Sequence, residues 1–293
     1  MTLTVTGATG QFGRLAVESL LERGVPAREI VATGRRTDSL KDLADRGVTV
    51  RIADYTDPAS LWDAFEGTAR LLLVSGSDPG ARVEQHRNVI EAAQHNGVGL
   101  LAYTSIVNAP ASTLHMAEDH RATEALLAQS GLPFVLLRNS WYIENYTAQL
   151  QGILKQGAIF GSAGDGRVSA ATRADYAKAA AAVLTARGHL NQAYELGGDT
   201  AFTMADLAAE ITAQSGTQVR YTDLPEADYA RALTEHGLPP PYAEILANAD
   251  QGLRRGELYT ESGDLRRLLG RPTTPLADAI AAALPGANPK PFT

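Results

Sequence analysis

Residues 6–13 read T-G-A-T-G-Q-F-G and stand between an apolar run, Leu3–Thr6, and an amphipathic one, Phe12–Glu22. Glycines at G-x-x-G-x-x-G spacing across a first strand–helix junction constrain a chain strongly. Gly7 permits the tight turn, Gly10 lets backbone N–H groups approach a pyrophosphate, and Gly13 allows close helix–strand packing. Alone, the triplet is also compatible with an ordinary turn that holds nothing. At the head of a strand–helix series it points to a bound dinucleotide.

The series is there. Strands are expected at Ile30–Thr33, Thr49–Ile52, Arg70–Val74, Gly99–Thr104 and Pro133–Arg138, with helices at Leu40–Asp45, Pro58–Phe65, Val83–His95 and Glu118–Gln129 between them. Several of these helices end in glycine, at Gly24, Gly47, Gly67, Gly97 and Gly131. Such alternation implies parallel strands joined by right-handed crossovers, hence an α/β, doubly wound (Rossmann) sheet. After about residue 148 the pattern loosens. Q-G-A-I-F-G-S-A-G-D-G-R (156–167) reads as turns or a short hairpin, 173–187 as a strong helix, and Ala193–Leu196 as a further strand. Beyond 203 the chain reads as mostly helical, with breaks at Pro239–Pro241 and Arg271-Pro272 and a polar end at 285–293. The expected organisation is a dinucleotide-binding domain over 1–150, to which 173–198 returns. Residues 151–172 and 199–293 would then form a smaller, mostly helical substrate lobe, with a ligand cleft at the carboxyl ends of the strands.

The second strand bears on which dinucleotide. An acid at its tip would bond a ribose 2′-hydroxyl, but I-V-A-T-G-R-R-T-D has two arginines there. A guanidinium binds a 2′-phosphate through paired hydrogen bonds, so Arg35, with Arg36 second, favours NADP(H) over NAD(H). The alternative is a pair of solvated loop arginines, with Asp38 as a helix cap. Asp54 and Tyr55 are placed to line the adenine; Asp54 is equally readable as a loop cap.

Composition narrows the rest. The 293 residues carry a net charge of −7, with 44% hydrophobic residues and no cysteine. Nucleic-acid binding normally needs a basic patch, and none is expected here. Thiolate chemistry and disulfides are excluded. The six histidines show no metal-binding spacing and read mostly as surface residues. No segment approaches the ~18–20 apolar residues of a membrane span, and M-T-L-T-V-T-G enters a strand directly. A soluble cytoplasmic protein, monomer or homodimer, is expected, with neither flavin nor metal.

The glycine turn, the arginine pair, L-L-R-N-S-W-Y-I-E-N-Y (136–146), S-A-A-T-R-A-D-Y-A-K-A-A-A (169–181) and G-R-P-T-T-P-L-A (270–277) together resemble a known group. It is the NmrA-like atypical short-chain dehydrogenases, especially the type-2 NAD(P)H:quinone oxidoreductases, with triphenylmethane reductases as near relatives. Phe12 replaces the commoner Leu, and Ser140 stands where such quinone reductases often have Gly. The resemblance implies that Gly7–Phe12 and Arg35 contact the dinucleotide. It puts Ser75, Gly76 and Ser77 beside the nicotinamide ribose, and Asn139, Ser140, Trp141, Tyr142, Ile143 and Glu144 at the nicotinamide end, with Arg173 reaching the same region. Read from residues alone, the Arg138–Tyr142 stretch either stacks a flat ring or anchors two lobes, and Arg173 is equally a surface helix residue.

Ketone reduction in typical short-chain dehydrogenases uses a Tyr acid with a Lys four positions later. The lysines here are Lys41, Lys155, Lys178 and Lys290, preceded at that spacing by Thr37, Gln151, Ala174 and Gly286. The Tyr-x-x-x-Lys acid is absent. Other members of the broader family carry a Lys in the helix after strand five, where His120 falls here. His120 either relays a proton or pairs with Glu124 on the helix face. Tyr103, at the end of strand five, is expected to line the nicotinamide pocket. A site without a strong acid suits a conjugated acceptor: hydride gives a quinone a weakly basic phenolate, and it neutralises a cationic triarylmethane dye outright. Tyr103, His120, Asn139 and Tyr142 are the candidates for positioning or proton relay. A non-catalytic NADP(H) sensor is the alternative in a different class.

Overall fold

The computed structural model describes residues 1–78 and 80–284, so the polar end at 285–293 lies outside the described residues. Apolar runs become strands β1 (Leu3–Val5), β2 (Ile30–Gly34), β3 (Thr49–Ile52), β4 (Arg70–Leu73), β5 (Leu100–Ile106) and β6 (Phe134–Asn139). Helices α1 (Gln11–Glu22), α2 (Lys41–Asp45), α3 (Pro58–Ala64), α4 (Arg82–His95) and α5 (His115–Ser130) alternate with them. The glycines that end α1, α2 and α3 and that follow α4 and α5 all adopt positive φ, as helix stops do. Past β6 come α6 (Glu144–Thr147), α7 (Leu150–Gln156), β7 (Ala158–Gly161), α8 (Arg173–Thr185), β8 (Gln192–Leu196), α9 (Met204–Ser215) and β9 (Arg220–Asp223). Four helices follow: α10 (Glu226–Glu235), α11 (Pro240–Arg254), α12 (Asp264–Leu269) and α13 (Leu276–Ala283).

All neighbouring strands of the main sheet pair in parallel, in the order β3-β2-β1-β4-β5-β6-β8. The order reverses between β1 and β4, which opens a crevice above their carboxyl ends. Side chains alternate across the sheet with period two. On β5, Leu100 and Ala102 enter the cluster shared with α1 and α8, whereas Leu101 and Tyr103 enter the cluster shared with α3, α4 and α5. The alanine-rich α8 packs closely on α1, its N-terminus capped by the Thr172 hydroxyl, which accepts from Asp175 N–H at 3.1 Å. A further apolar cluster draws on the end of β5 and the loop after β6 together with α6, α7, α9, α11 and α13. Asn108, at φ +55°, donates from its side chain to Glu257 and Tyr259 carbonyls at 2.9 and 3.0 Å and so ties the end of β5 to the C-terminal segment.

Two expectations need correction. The glycine-rich 156–167 stretch is not a hairpin, because β7 pairs in parallel with β9, some sixty residues on. Arg220–Asp223 reads R-Y-T-D, with too few apolar residues to signal a strand. The break expected at Pro239–Pro241 covers residues 236–239 instead. Pro240 and Pro241 open α11, where a missing N–H costs nothing. Among the described residues no helix is long and apolar enough to cross a membrane.

Candidate functional site

The glycine turn is built for close approach. Gly7 sits at φ +60°, and a Cβ on Gly13 would lie 2.4 Å from the Gly7 carbonyl oxygen. Gly10 caps α1 without a side-chain hydrogen bond, and the first turn carries no acid, so its N–H groups face outward for an anion. In front of the turn is a cavity of about 500 Å³. Gly7, Thr9, Gly10, Gln11 and Phe12 line it from one side, Arg35 and Asp54 from the ends of β2 and β3, and Ser75, Gly76 and Ser77 from the end of β4. Ala8 is buried beneath the turn, its N–H donating to the Thr33 carbonyl at 2.8 Å.

Arg35 is exposed at the cavity edge, while Arg36 does not line it. Asp38 opens a short 3₁₀ turn rather than capping a helix. Asp54 accepts from the Thr56 N–H and hydroxyl at 2.9 and 2.8 Å. Those bonds, with Arg35 nearby, hold its carboxyl below the usual carboxylate range. Tyr55 lines the same wall and donates to the Val74 carbonyl at 2.8 Å.

A second cavity of about 290 Å³ continues from the first, sharing Ser75, Gly76, Ser77 and Arg173. Asn139, Ser140, Trp141, Tyr142 and His120 line it, with Thr104 and Ser105 from the end of β5. Tyr142 packs its ring 6.1 Å from that of Phe12 and 5.5 Å from that of Tyr176, and the Arg173 guanidinium lies 4.8 Å above it. Arg173 also donates to Asn145 Oδ1 at 2.8 Å. Asn139 is 4% exposed; its Nδ2 lies 3.5 Å from the Tyr142 hydroxyl, and its Oδ1 has no partner among the described residues. Ser140 does not adopt a positive φ, so serine fits there without backbone strain; its hydroxyl donates to the Leu258 carbonyl at 2.7 Å.

Three expected contacts lie behind this wall. Ile143 is buried in the apolar cluster with α7 and α9. Glu144 caps α8, accepting from the Arg173 backbone N–H at 2.9 and 3.1 Å. Tyr103 is fully buried and does not line the pocket, because the period of β5 turns it toward α4 and α5. Its hydroxyl meets His120 Nδ1 at 2.7 Å.

That contact couples the phenol's proton to the ring's tautomer. Burial pushes the Tyr103 phenol up, so it keeps its proton, and both His120 Nδ1 and the Thr123 hydroxyl are within reach of it. Where the phenol donates to it, Nδ1 accepts and Nε2 carries the hydrogen of a ring that lines the cavity. Burial, reinforced by Arg82 and His86, takes the His120 pKa down to about 3, so the ring is neutral. His120 does not pair with Glu124, which takes a bidentate contact from Arg138 at 3.0 and 2.7 Å and the Ser105 hydroxyl at 2.6 Å.

The histidines were expected mostly at the surface, but His86 is fully buried and functional in the loop's geometry. Its Nε2 accepts the Gly76 N–H at 2.9 Å, and its Nδ1 faces Thr123 Oγ1 at 2.9 Å. Arg82 takes the other side of the same residue, Nε donating to the Gly76 carbonyl at 2.7 Å and a terminal nitrogen to Asp119 at 3.1 Å. Both polar groups of Gly76 are thus held from α4. The signal was available: Arg82 and His86 are four apart, on one helix face, just after the β4 loop.

A doubly wound sheet with an uncapped glycine turn at its switch point and an orphan acceptor deeper in the cleft defines a dinucleotide-binding α/β protein. A family model described as NAD(P)H-binding matches residues 7–187, and the chain belongs to this NmrA-like NAD(P)H-binding family. It is 49% identical over 279 residues to Quinone oxidoreductase 2 of Escherichia coli (strain K12), covering 95% of this chain and 97% of that one. A solved E. coli NADPH-dependent quinone oxidoreductase complexed with NADPH superposes with a TM-score of 0.93 at 49% identity, over 96% of this chain and 99% of that one. The Citrobacter sp. triphenylmethane reductase complexed with NADP(H) gives 0.92 at 37% identity, over 97% and 100%.

Proposed function

We propose that this chain is an NADPH-dependent oxidoreductase that reduces quinones or similar conjugated acceptors without a flavin. In this reading residues 1–150 and 173–198 hold the dinucleotide, and 151–172 with 199–293 shape the acceptor side. The observation that carries the proposal is the inner cavity. It pairs aromatic walls, Trp141 and Tyr142, with an unpartnered Asn139 acceptor and a neutral His120, in a chain without the Tyr-x-x-x-Lys acid.

Nicotinamide supplies the hydride when bound. Asn139 Oδ1 suits its carboxamide N–H, Arg35 the 2′-phosphate, and the N–H groups of Gln11 and Phe12 the pyrophosphate. Ser75–Ser77, clamped by His86 and Arg82, form the wall beside the ribose. Trp141 and Tyr142 give the acceptor ring a flat surface, which contributes chiefly by alignment. His120 Nε2–H donates a hydrogen bond to the acceptor oxygen as negative charge grows there. A proton from solvent then completes the hydroquinone, since the phenolate product is weakly basic. The balance is acceptor plus NADPH plus one proton, giving hydroquinone and NADP⁺.

The likeness to triphenylmethane reductase supports cationic dyes as a second acceptor class, for which no proton is needed. The test is NADPH oxidation against a panel of quinones, a triarylmethane dye and no acceptor. Turnover with quinones is expected. Tight NADP(H) binding with no turnover on any acceptor would replace this reading with that of a redox sensor.

A further inference from the structure

A third cavity, bounded by α7, β7, α10 and α11, measures about 370 Å³ and shares no lining residue with the cleft. Small-molecule sites commonly span ~300–1,000 Å³. It lies on the other side of α6, where Asn145 faces the cleft and Tyr146 faces this cavity. Ile153, Ile159, Phe160, Met204 and Leu233 form its apolar walls, and Gln149, Gln156 and His236 line it as well. Although α10 has no buried residue, Tyr229, Ala232 and Leu233 line the cavity from it.

Polar groups converge on this space. The Tyr146 hydroxyl is buried and has no hydrogen-bond partner among the described residues. Asp250 accepts the Ser162 N–H at 2.8 Å but has no ion-pair partner among the described residues. The nearby Arg254 is committed to the Ser162 carbonyl and to Asp223. Burial raises the Tyr146 and Tyr229 phenols and nearby Asp250 raises both further, and burial takes the pKa of Asp250 itself up to about 6. An unpaired phenol and an unpaired carboxyl in an apolar cavity are costly unless something bonds to them. Gly152, in mid-helix α7, is exposed and lines the cavity on its open side. It has no positive φ, and a Cβ there meets nothing within 4 Å. No backbone or packing demand excludes a side chain, and the glycine leaves the space open.

We propose that this cavity is a binding site for a flat aromatic molecule bearing a hydroxyl or amino group, its donor on the Asp250 carboxyl, its heteroatom on the Tyr146 hydroxyl and its ring against the apolar walls. The proposal does not depend on what the cleft reduces. The test is fluorescence titration of 2-naphthol and of 2-naphthylamine into the full chain saturated with NADP⁺. 2-Methoxynaphthalene is the ring without a donor. At least one of the first two binds about tenfold more tightly than the ether, the scale of a hydrogen bond to a carboxylate, and which one does so separates hydroxyl from amine. Asp250→Asn and Tyr146→Phe weaken binding. Gly152→Leu abolishes it while NADP⁺ affinity and melting temperature hold, and Trp141→Ala, in the cleft, leaves it unchanged. Equal affinity for the ether, binding retained by Gly152→Leu, or binding lost in Trp141→Ala would each overturn the proposal.

Discussion

His86 and His120 make the fold acid-labile in a way that can be counted. Both are buried in the layer between β5, α4 and α5, and burial takes each pKa from 6.5 down to about 3. A lowered folded pKa means that the unfolded chain binds more protons between those values. The contribution to stability is complete above pH 6.5 and is lost progressively as pH falls toward 3. At pH 5 each unfolded histidine is almost fully protonated while each folded one is neutral, which costs about 2 kcal/mol per site. The pair therefore removes about 4 kcal/mol, a large share of the ~5–15 kcal/mol that holds a typical domain. For a chain of this size that corresponds to a melting-temperature drop of roughly 8 °C or more between pH 7 and pH 5. The assay is thermal unfolding by circular dichroism at both pH values, for wild type and for a His86→Gln/His120→Gln double variant. The variant starts less stable at pH 7, because it loses the bonds to Gly76 and Tyr103, but its further loss on acidification is smaller by about that amount. An equal loss in both proteins would refute the assignment of buried neutral rings.

Arg35→Glu shifts preference from NADPH toward NADH, because a carboxylate repels the 2′-phosphate that a guanidinium pairs with. Unchanged kcat/KM ratios for the two cofactors would clear Arg35 of that role. His120→Ala lowers kcat/KM with quinones by about a hundredfold, the scale of one lost donor to a developing oxyanion, and lowers it much less with a cationic dye. Equal losses on both acceptors would make His120 a packing residue. Gly13→Ala forces a methyl to within 2.4 Å of the Gly7 carbonyl, so the turn has to move. Overpacking of this kind costs about 1–3 kcal/mol, and NADPH affinity measured by titration falls at least about tenfold.

How far the sequence reached follows from what each feature depends on. The main sheet was legible because each strand and each glycine stop is signalled within a few residues. β9 was not, because R-Y-T-D becomes a strand only by pairing with β7 across an intervening strand and two helices. The same division runs through the site. The Gly7–Gly13 turn and the arginine at the tip of β2 are local, whereas the clamp on Gly76 needs α4 to return Arg82 and His86 to the end of β4. Tyr103 is the sharpest case, since its nearness to the strand's carboxyl end is a local fact and its direction is a parity fact. Leu101 and Tyr103 share the face toward α4 and α5, and Leu100 and Ala102 the other, so the tyrosine was bound to be buried once Leu101 was. Parity thus turns an apparent pocket residue into one that acts through another. The Tyr103 hydroxyl bonds to His120 Nδ1, and the His120 ring lines the cleft. The Tyr–Lys pair of the usual reductase delivers a proton; in the proposed mechanism this Tyr–His pair holds a neutral donor, which is enough for an acceptor whose reduced oxygen is only weakly basic.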